Sequence, residues 1–285
     1  LAELPVDFGG VGTTVQWHGL VTECSAVDYI VLGEGELTFS RLAAALDHGA
    51  SPHEIADLPG MALRSETGPI RTAAPPLIEN LDELPPPARY FDFQHLSLTR
   101  GCPGRCTFCG SPRFWSRRVR SHSTDYLVDQ ITLLVERGIT FFYLSDDTFT
   151  LNAERVIELC RKIIHRGLSI TWQAISKVSA VNDEMLRWMR KAGCVQISYG
   201  VESGSPDIRK RLCKDILHDQ IPQAFERTVA HGILARAYFI YGAPGENRET
   251  IQETIDLIHE IKPLSIIFYI LDIFPGTALY ENFKR

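Results

Sequence analysis

Two hydrophobic rhythms alternate along most of this chain. From about residue 94 onward, short continuous apolar runs are followed by longer stretches whose apolar positions recur every three or four residues. The first rhythm fits strands buried on both faces, the second amphipathic helices. Strands are expected over residues 95–100, 140–145, 169–174, 195–200, 236–241 and 265–271. Helices are expected between them, over 123–137, 152–166, 182–191, 220–231 and 248–261. Asn152 and Asn182 stand at helix starts, where a side-chain oxygen can accept an orphan backbone N–H, and Gly138, Gly167, Gly193 and Gly232 stand at helix stops. Strands alternating with helices call for a parallel sheet with helical crossovers. Six such units fall two short of a closed eight-fold barrel. The expected fold class is therefore α/β, with a partial (β/α)6 TIM-type barrel over residues 94–285.

The N-terminal part follows a different grammar. An apolar run, VDYIVLG (residues 27–33), precedes an amphipathic pattern, ELTFSRLAAALDHG (residues 36–49). Strand, glycine turn and helix in that order belong to doubly wound α/β domains. One and a half units cannot cover a sheet on both faces, so residues 1–48 are expected to be the C-terminal remnant of a Rossmann-like domain whose N-terminal part is absent. The first residue, Leu1, fits a fragment of a longer protein. Residues 49–93 are expected to be a connector, because five of the sixteen prolines fall within residues 75–87 and proline cannot donate to a ladder.

Composition narrows the class of function. Hydrophobic residues make up 45% and charged residues 22%, as in ordinary globular proteins. The net charge of -6 argues against a nucleic-acid coat. The longest apolar-rich run, near residues 264–274, is too short for a bilayer, and residues 1–10 lack the marks of a signal peptide. A cytoplasmic location is expected. Seven cysteines, odd in number and unevenly spaced, do not form a disulfide framework.

Chemistry gathers at the C-terminal ends of strands in barrels of this kind. Each expected strand is followed there by a polar or glycine-rich motif: the cysteine loop, SDDT (145–148), Lys177, GVESGS (200–205), GAPGE (242–246) and FPGT (274–277). Loops are commonly rich in Gly and Asp, which accounts for FPGT and for SDDT, but not for three cysteines within eight residues. Cys102, Cys106 and Cys109 lie among Gly, Pro and Arg, which disfavours a reading as buried small apolar residues. A structural zinc site needs a fourth ligand; His122 is the nearest imidazole, and no second Cys/His pair accompanies it. A three-thiolate iron–sulfur cluster with one open iron remains.

The Cys-x3-Cys-x2-Cys spacing, with Phe108 directly before the third cysteine, resembles the radical S-adenosylmethionine (SAM) superfamily. The resemblance implies a 4Fe-4S cluster on Cys102, Cys106 and Cys109, SAM on the open iron, and reductive cleavage of SAM to a 5′-deoxyadenosyl radical. It extends to YLSDDTFTLN, ISYGVESGS and YFIYGAPGE. By resemblance, Asp146 and Asp147 stand near the SAM amino group or the substrate, with helix capping the plain alternative for Asp147. Glu202 binds the ribose hydroxyls with Ser198 and Ser203 nearby, against a surface Glu. Backbone from Ile240 to Gly242 lies along adenine and Phe108 flanks it, against a core aromatic. Lys177 pairs with the SAM carboxylate, against an exposed lysine. Arg113, Arg117, Arg118, Arg120 and His122 are either a solvated face or an anion clamp. Gln130 stands where relatives often carry Glu.

DYIVLGEGELTF (28–39), FGG (8–10) and the proline-rich run resemble the cobalamin-binding-domain class of the superfamily, and within it the Mg-protoporphyrin ester cyclase-like group. That domain usually carries Asp-x-His-x-x-Gly. No such triplet occurs here, since His18 is followed by Gly-Leu-Val, so cobalamin is expected of a full-length parent more than of these 285 residues. The implied reaction is methylation, cyclisation or rearrangement of a small-molecule or lipid-like substrate, served by a reductant such as flavodoxin or ferredoxin. The alternatives are a methylthiotransferase and a non-catalytic iron–sulfur electron carrier.

Overall fold

The computed structural model describes residues 5–75 and 77–284; residues 1–4, Pro76 and Arg285, which belong to the spans just discussed, lie outside the described residues. Two compact units form, one from the described residues up to 79 together with those from 274, the other from residues 80–273. In the first unit β1 (Asp7–Gly9), α1 (Val11–Glu23), β2 (Tyr29–Val31), α2 (Gly35–Asp47), α3 (Pro52–Ala56), β3 (Met61–Ser65) and β4 (Gly68–Arg71) follow one another. Their sheet has the order β1-β2-β3-β4, parallel between β1 and β2 and antiparallel thereafter. Val21, Ile30, Leu32 and Ala62 bury one side of it, and Val31, Leu42, Met61 and Leu63 the other.

Residues 49–93 are thus more than a connector. Ser51 and Glu54 form a reciprocal capping box that starts α3, and β3 and β4 make a hairpin. Alternation is hidden in Met61-Ala62-Leu63 because both faces are covered, and the prolines that suggested a connector lie beyond β4. Helix α1 was not expected. Only Val21 on it is fully buried, so it presents almost no apolar stripe to read.

The second unit runs through β5 (His95–Leu96), β6 (Thr99–Arg100), α4 (Ser111–Phe114), β7 (Arg120–Ser121), α5 (Thr124–Glu136), β8 (Phe141–Leu144) and α6 (Ala153–His165). It continues through β9 (Thr171–Ser176), α7 (Asp183–Lys191), β10 (Cys194–Glu202), α8 (Pro206–Arg211), α9 (Gln220–Ala230), β11 (Leu234–Tyr241), α10 (Arg248–Ile261) and β12 (Ser265–Ile270). The main sheet has the order β5-β8-β9-β10-β11-β12 with every neighbouring pair parallel, an open partial barrel. Ser123, Asn152, Asn182 and Asn247 each accept a backbone N–H three residues on, starting α5, α6, α7 and α10.

Side-chain alternation gives the sheet two unlike faces. Trp172, Ala174, Ile197, Tyr199, Ala237 and Phe239 enter the helix-covered core. On the alternate positions, Gln196 Nε2 donates to Gln173 Oε1 (3.0 Å) and Ser198 Oγ (3.4 Å), and Arg236 Nε donates to Ser265 Oγ (2.8 Å). Among the described residues no helix is long and apolar enough to cross a membrane.

Residues 95–100, expected as one strand, are split. His95–Leu96 pairs with β8, while Thr99–Arg100 pairs antiparallel with β7. The break has a local cause: the Asp146 carboxylate takes the Leu98 and Thr99 amides out of the parallel ladder.

Candidate functional site at the strand ends

The cysteine loop leaves β6 and is held from three sides. Thr107 N donates to Leu212 O (2.9 Å), tying the loop to the end of α8. Gly104 N points at Cys102 Sγ (3.4 Å), and Thr148 Oγ1 lies 3.9 Å from the same sulfur. Gly104 has no side chain to spare: a Cβ there would sit 3.2 Å from Lys177 Nζ, 3.3 Å from Cys102 Sγ and 3.9 Å from Cys106 Sγ. Lys177, directly after β9, thus brings its ammonium to the same glycine that Cys102 and Cys106 approach.

All three cysteines are free thiols. Burial pushes the Cys106 thiol up, opposed by the Lys214 and Lys177 ammoniums and reinforced by Glu202 and Cys102. Burial likewise pushes Cys109 up to about 11, against a backbone N–H of Ser111, with Cys106, Asp147 and Cys102 adding to the rise. Buried thiols that disfavour each other's charge are a set that a cationic iron centre would ionise. Among the described residues no three His, Cys, Asp or Glu side chains converge on a single ion. Cluster thiolates bind separate irons and stand farther apart than the ligands of one ion. The donor set fits a cluster, with the Gly104 amide as a hydrogen-bond donor to one sulfur.

The expected carboxylates separate into three environments. Asp146 is fully buried and accepts from Leu98 N (3.2 Å), Thr99 N (2.6 Å) and Thr99 Oγ1 (2.5 Å). Its acceptor capacity is spent on the segment leading into the cysteine loop. Asp147 is exposed and accepts from Ser111 Oγ (2.7 Å); the helix cap is Asn152. Glu202 ends β10 in a left-handed conformation, φ 69, and its Oε1 lies 2.7 Å from Lys214 Nζ. Both side chains of that pair are about nine-tenths buried, at 10% and 9% exposure.

The other expected residues line the same unit with different duties. Phe108 is half-buried against Ile208, Leu212 and Ala243. Gly242 has φ 90, donates its N–H to Glu246 Oε2 (2.6 Å), and a Cβ there would meet nothing within 4 Å. Ile240 is buried in β11. Ser198 is bonded to Gln196 on the polar face. Ser203 turns away, to Thr254 Oγ1 (3.2 Å) and to the Ser205 amide (3.1 Å). Of the five basic residues, Arg113, Arg117 and Arg118 are exposed, while Arg120 lies over the Trp115 ring and His122 stacks on Tyr126. Gln130 accepts the Ala88 N–H (3.4 Å). Lys214 was missed by the sequence reading, since it sits in a basic run, residues 209–214, that looks like any solvated helix end.

The Radical SAM superfamily profile matches residues 96–258. An uncharacterized methyltransferase of Pyrococcus horikoshii is 35% identical over 97% of this chain and 62% of its own length. The anaerobic magnesium-protoporphyrin IX monomethyl ester cyclase of Rubrivivax gelatinosus is 29% identical over 96% of this chain and 52% of its own. The chain thus spans 52–62% of the length of these curated relatives. In fold it is similar to the radical SAM methyltransferase TsrM from Kitasatospora setae, solved with cobalamin and a [4Fe-4S] cluster, with TM-score 0.82, 22% identity, and 96% of this chain and 58% of that one covered. With three free thiols on the loop after the first barrel strand and the profile spanning the strands that follow, the chain belongs to the Radical SAM superfamily.

Proposed function

We propose that this chain is the core of a radical SAM enzyme in which Cys102, Cys106 and Cys109 hold a 4Fe-4S cluster and leave one iron to SAM. The observation that carries this is the loop of three free thiols, with the Gly104 amide directed at Cys102 Sγ and the Lys177 ammonium near Gly104. When bound, that cluster supplies one electron to SAM, whose C–S bond breaks to give methionine and a 5′-deoxyadenosyl radical. The chain's own residues bind and orient. Lys177 takes the SAM carboxylate, and Glu202 accepts the ribose hydroxyls. Phe108 and the backbone from Ile240 to Gly242 flank adenine, where the open space over Gly242 suits close approach. Asp146 anchors the cysteine loop instead of touching SAM, and Ser198 and Ser203 support the walls. No catalytic residue is assigned.

The radical then serves methylation or cyclisation of a small-molecule or lipid-like substrate, in keeping with the methyltransferase and the cyclase among the relatives. The polar face carrying Gln173, Ser198 and Arg236 supports such a substrate. Flavodoxin or ferredoxin is the reductant, and the cytoplasm keeps the thiols reduced. Cobalamin is bound by the solved neighbour; no His of this chain is assigned to cobalt, because no Asp-x-His-x-x-Gly occurs in it. Anaerobic reconstitution with iron and sulfide tests the reading. The reduced protein should give a cluster signal in electron paramagnetic resonance that changes on adding SAM, and should release 5′-deoxyadenosine. A signal indifferent to SAM with no 5′-deoxyadenosine overturns it.

A further inference from the structure

We propose that Lys214 is a positioning residue of this site: its ammonium holds the Glu202 carboxylate in place and sets fixed positive charge beside the Cys106 sulfur, raising the reduction potential of the cluster. The inference deepens the proposed function and rests on its cluster assignment.

The backbone is arranged to deliver this side chain. Helix α8 ends in a paired turn in which Lys214 N donates to Arg209 O (2.9 Å) and Cys213 N donates to Lys210 O (3.1 Å). The residue between, Cys213, adopts φ 51. Such helix ends ordinarily place glycine there, because a Cβ crowds the left-handed conformation. Glu202 is also left-handed. Both contributors to one ion pair thus sit in or beside backbone conformations that side chains disfavour, a pattern that gathers at functional sites. Leu212 O accepts the Thr107 N–H, so the turn carrying Lys214 and the loop carrying Cys106 are bound to each other.

Space around the pair is equally specific. A Cβ on Gly200 would stand 2.5 Å from Glu202 Oε1 and 2.8 Å from Lys214 Nζ, so the pair lies against bare backbone. Burial works against the Lys214 charge, but Glu202 and the Cys106 and Cys102 sulfurs outweigh it and hold its pKa above the usual lysine value. Lys214 is therefore buried, paired at 2.7 Å with a carboxylate, and carried on a turn bonded to the residue that follows Cys106. Reduction adds an electron to the cluster, and fixed positive charge nearby favours that state. The paired carboxylate moderates the effect, so the two residues pull the potential in opposite directions.

The opposition supplies the test. Wild type, Lys214→Met, Lys214→Arg and Glu202→Gln are reconstituted anaerobically, and iron content, midpoint potential without SAM and SAM affinity are measured. Lys214→Met should hold wild-type iron, shift the midpoint to a more negative value, and weaken SAM binding roughly tenfold as Glu202 loses its anchor. Glu202→Gln should shift the midpoint to a more positive value, and Lys214→Arg should stay near wild type. Midpoints unchanged in both Lys214→Met and Glu202→Gln, or shifted in the same direction, overturn the proposal. If Lys214→Met does not hold the cluster, Glu202→Gln decides alone: a midpoint that is unchanged or more negative overturns it. A wild-type chain that takes up no iron removes this inference together with the reading beneath it; a loaded wild type with unresponsive variants removes this inference only.

Discussion

Asp146 and Glu202 are both carboxylates at strand ends, both buried, and both stand out in the sequence, yet the fold uses them differently. Asp146 is 1% exposed and meets only neutral donors, two amides and a hydroxyl of residues 98–99. Glu202 is 8% exposed and meets a cation, Lys214. Desolvation without a compensating charge drives Asp146 up to about 6, with its hydrogen bonds opposing the rise. The difference separates a carboxylate bonded by the segment it supports from a carboxylate paired with a buried cation. Both oxygens of Asp146 are engaged by residues 98–99, whereas Glu202 meets Lys214 through Oε1.

The comparison can be broken by substitution, and the largest effect belongs to the strut. Asp146→Ala leaves two amides and a hydroxyl buried without an acceptor, and should lower unfolding stability by about 4 kcal/mol in a denaturant titration. Stability unchanged within about 1 kcal/mol would refute the strut role. Glu202→Ala strands a buried ammonium and should lose about 3 kcal/mol, while Glu202→Gln, which keeps an acceptor, should fold nearly as well and instead bind SAM roughly tenfold more weakly. Calorimetric SAM binding beside thermal unfolding separates the two.

Acid titration sharpens the contrast next. Burial pushes the folded Asp146 carboxyl up to about 6, against 3.8 for the solvated carboxyl of the unfolded chain, so between these values the folded state binds more protons than the unfolded. Its stabilising contribution is full below pH 4 and is lost as pH rises to about 6, on the order of 3 kcal/mol. Asp146→Asn should remove that slope in unfolding curves collected from pH 4 to 7; a slope identical to wild type would exclude Asp146 as its source. Gly200→Ala comes after this, with a loss of about 2 kcal/mol as its Cβ displaces the Glu202–Lys214 pair, seen as a lowered melting temperature together with weakened SAM binding. The smallest effect is expected at Lys177, which is partly exposed: Lys177→Met should weaken SAM binding by about 1 kcal/mol and leave the melting temperature in place.

Much of this was legible in order along the chain. Cys102, Cys106 and Cys109 lie within one loop, so their spacing alone shows three thiols presented together. Helix starts at Asn152 and Asn182 were legible because a cap bonds to an amide only three residues away. The hairpin β3–β4 and helix α1 were not, since one is apolar without alternation and the other buries too little. The split of residues 95–100 was hidden because its cause, Asp146, lies about fifty positions downstream, and Lys214 was hidden because nothing local distinguishes it from Lys210 or Arg211.

Periodicity and local spacing determined by themselves the alternating strands and helices, the three-thiol loop and the side of the sheet on which motifs collect, because each depends on residues within a turn or two of one another. Tertiary structure alone decided which charges meet. What a buried carboxylate meets depends on the groups that folding brings within hydrogen-bond distance, and the partners of Asp146 and Glu202 come from segments 47 and 12 positions away. Electrostatics in a desolvated site is set by distance through space, to which sequence separation is no guide.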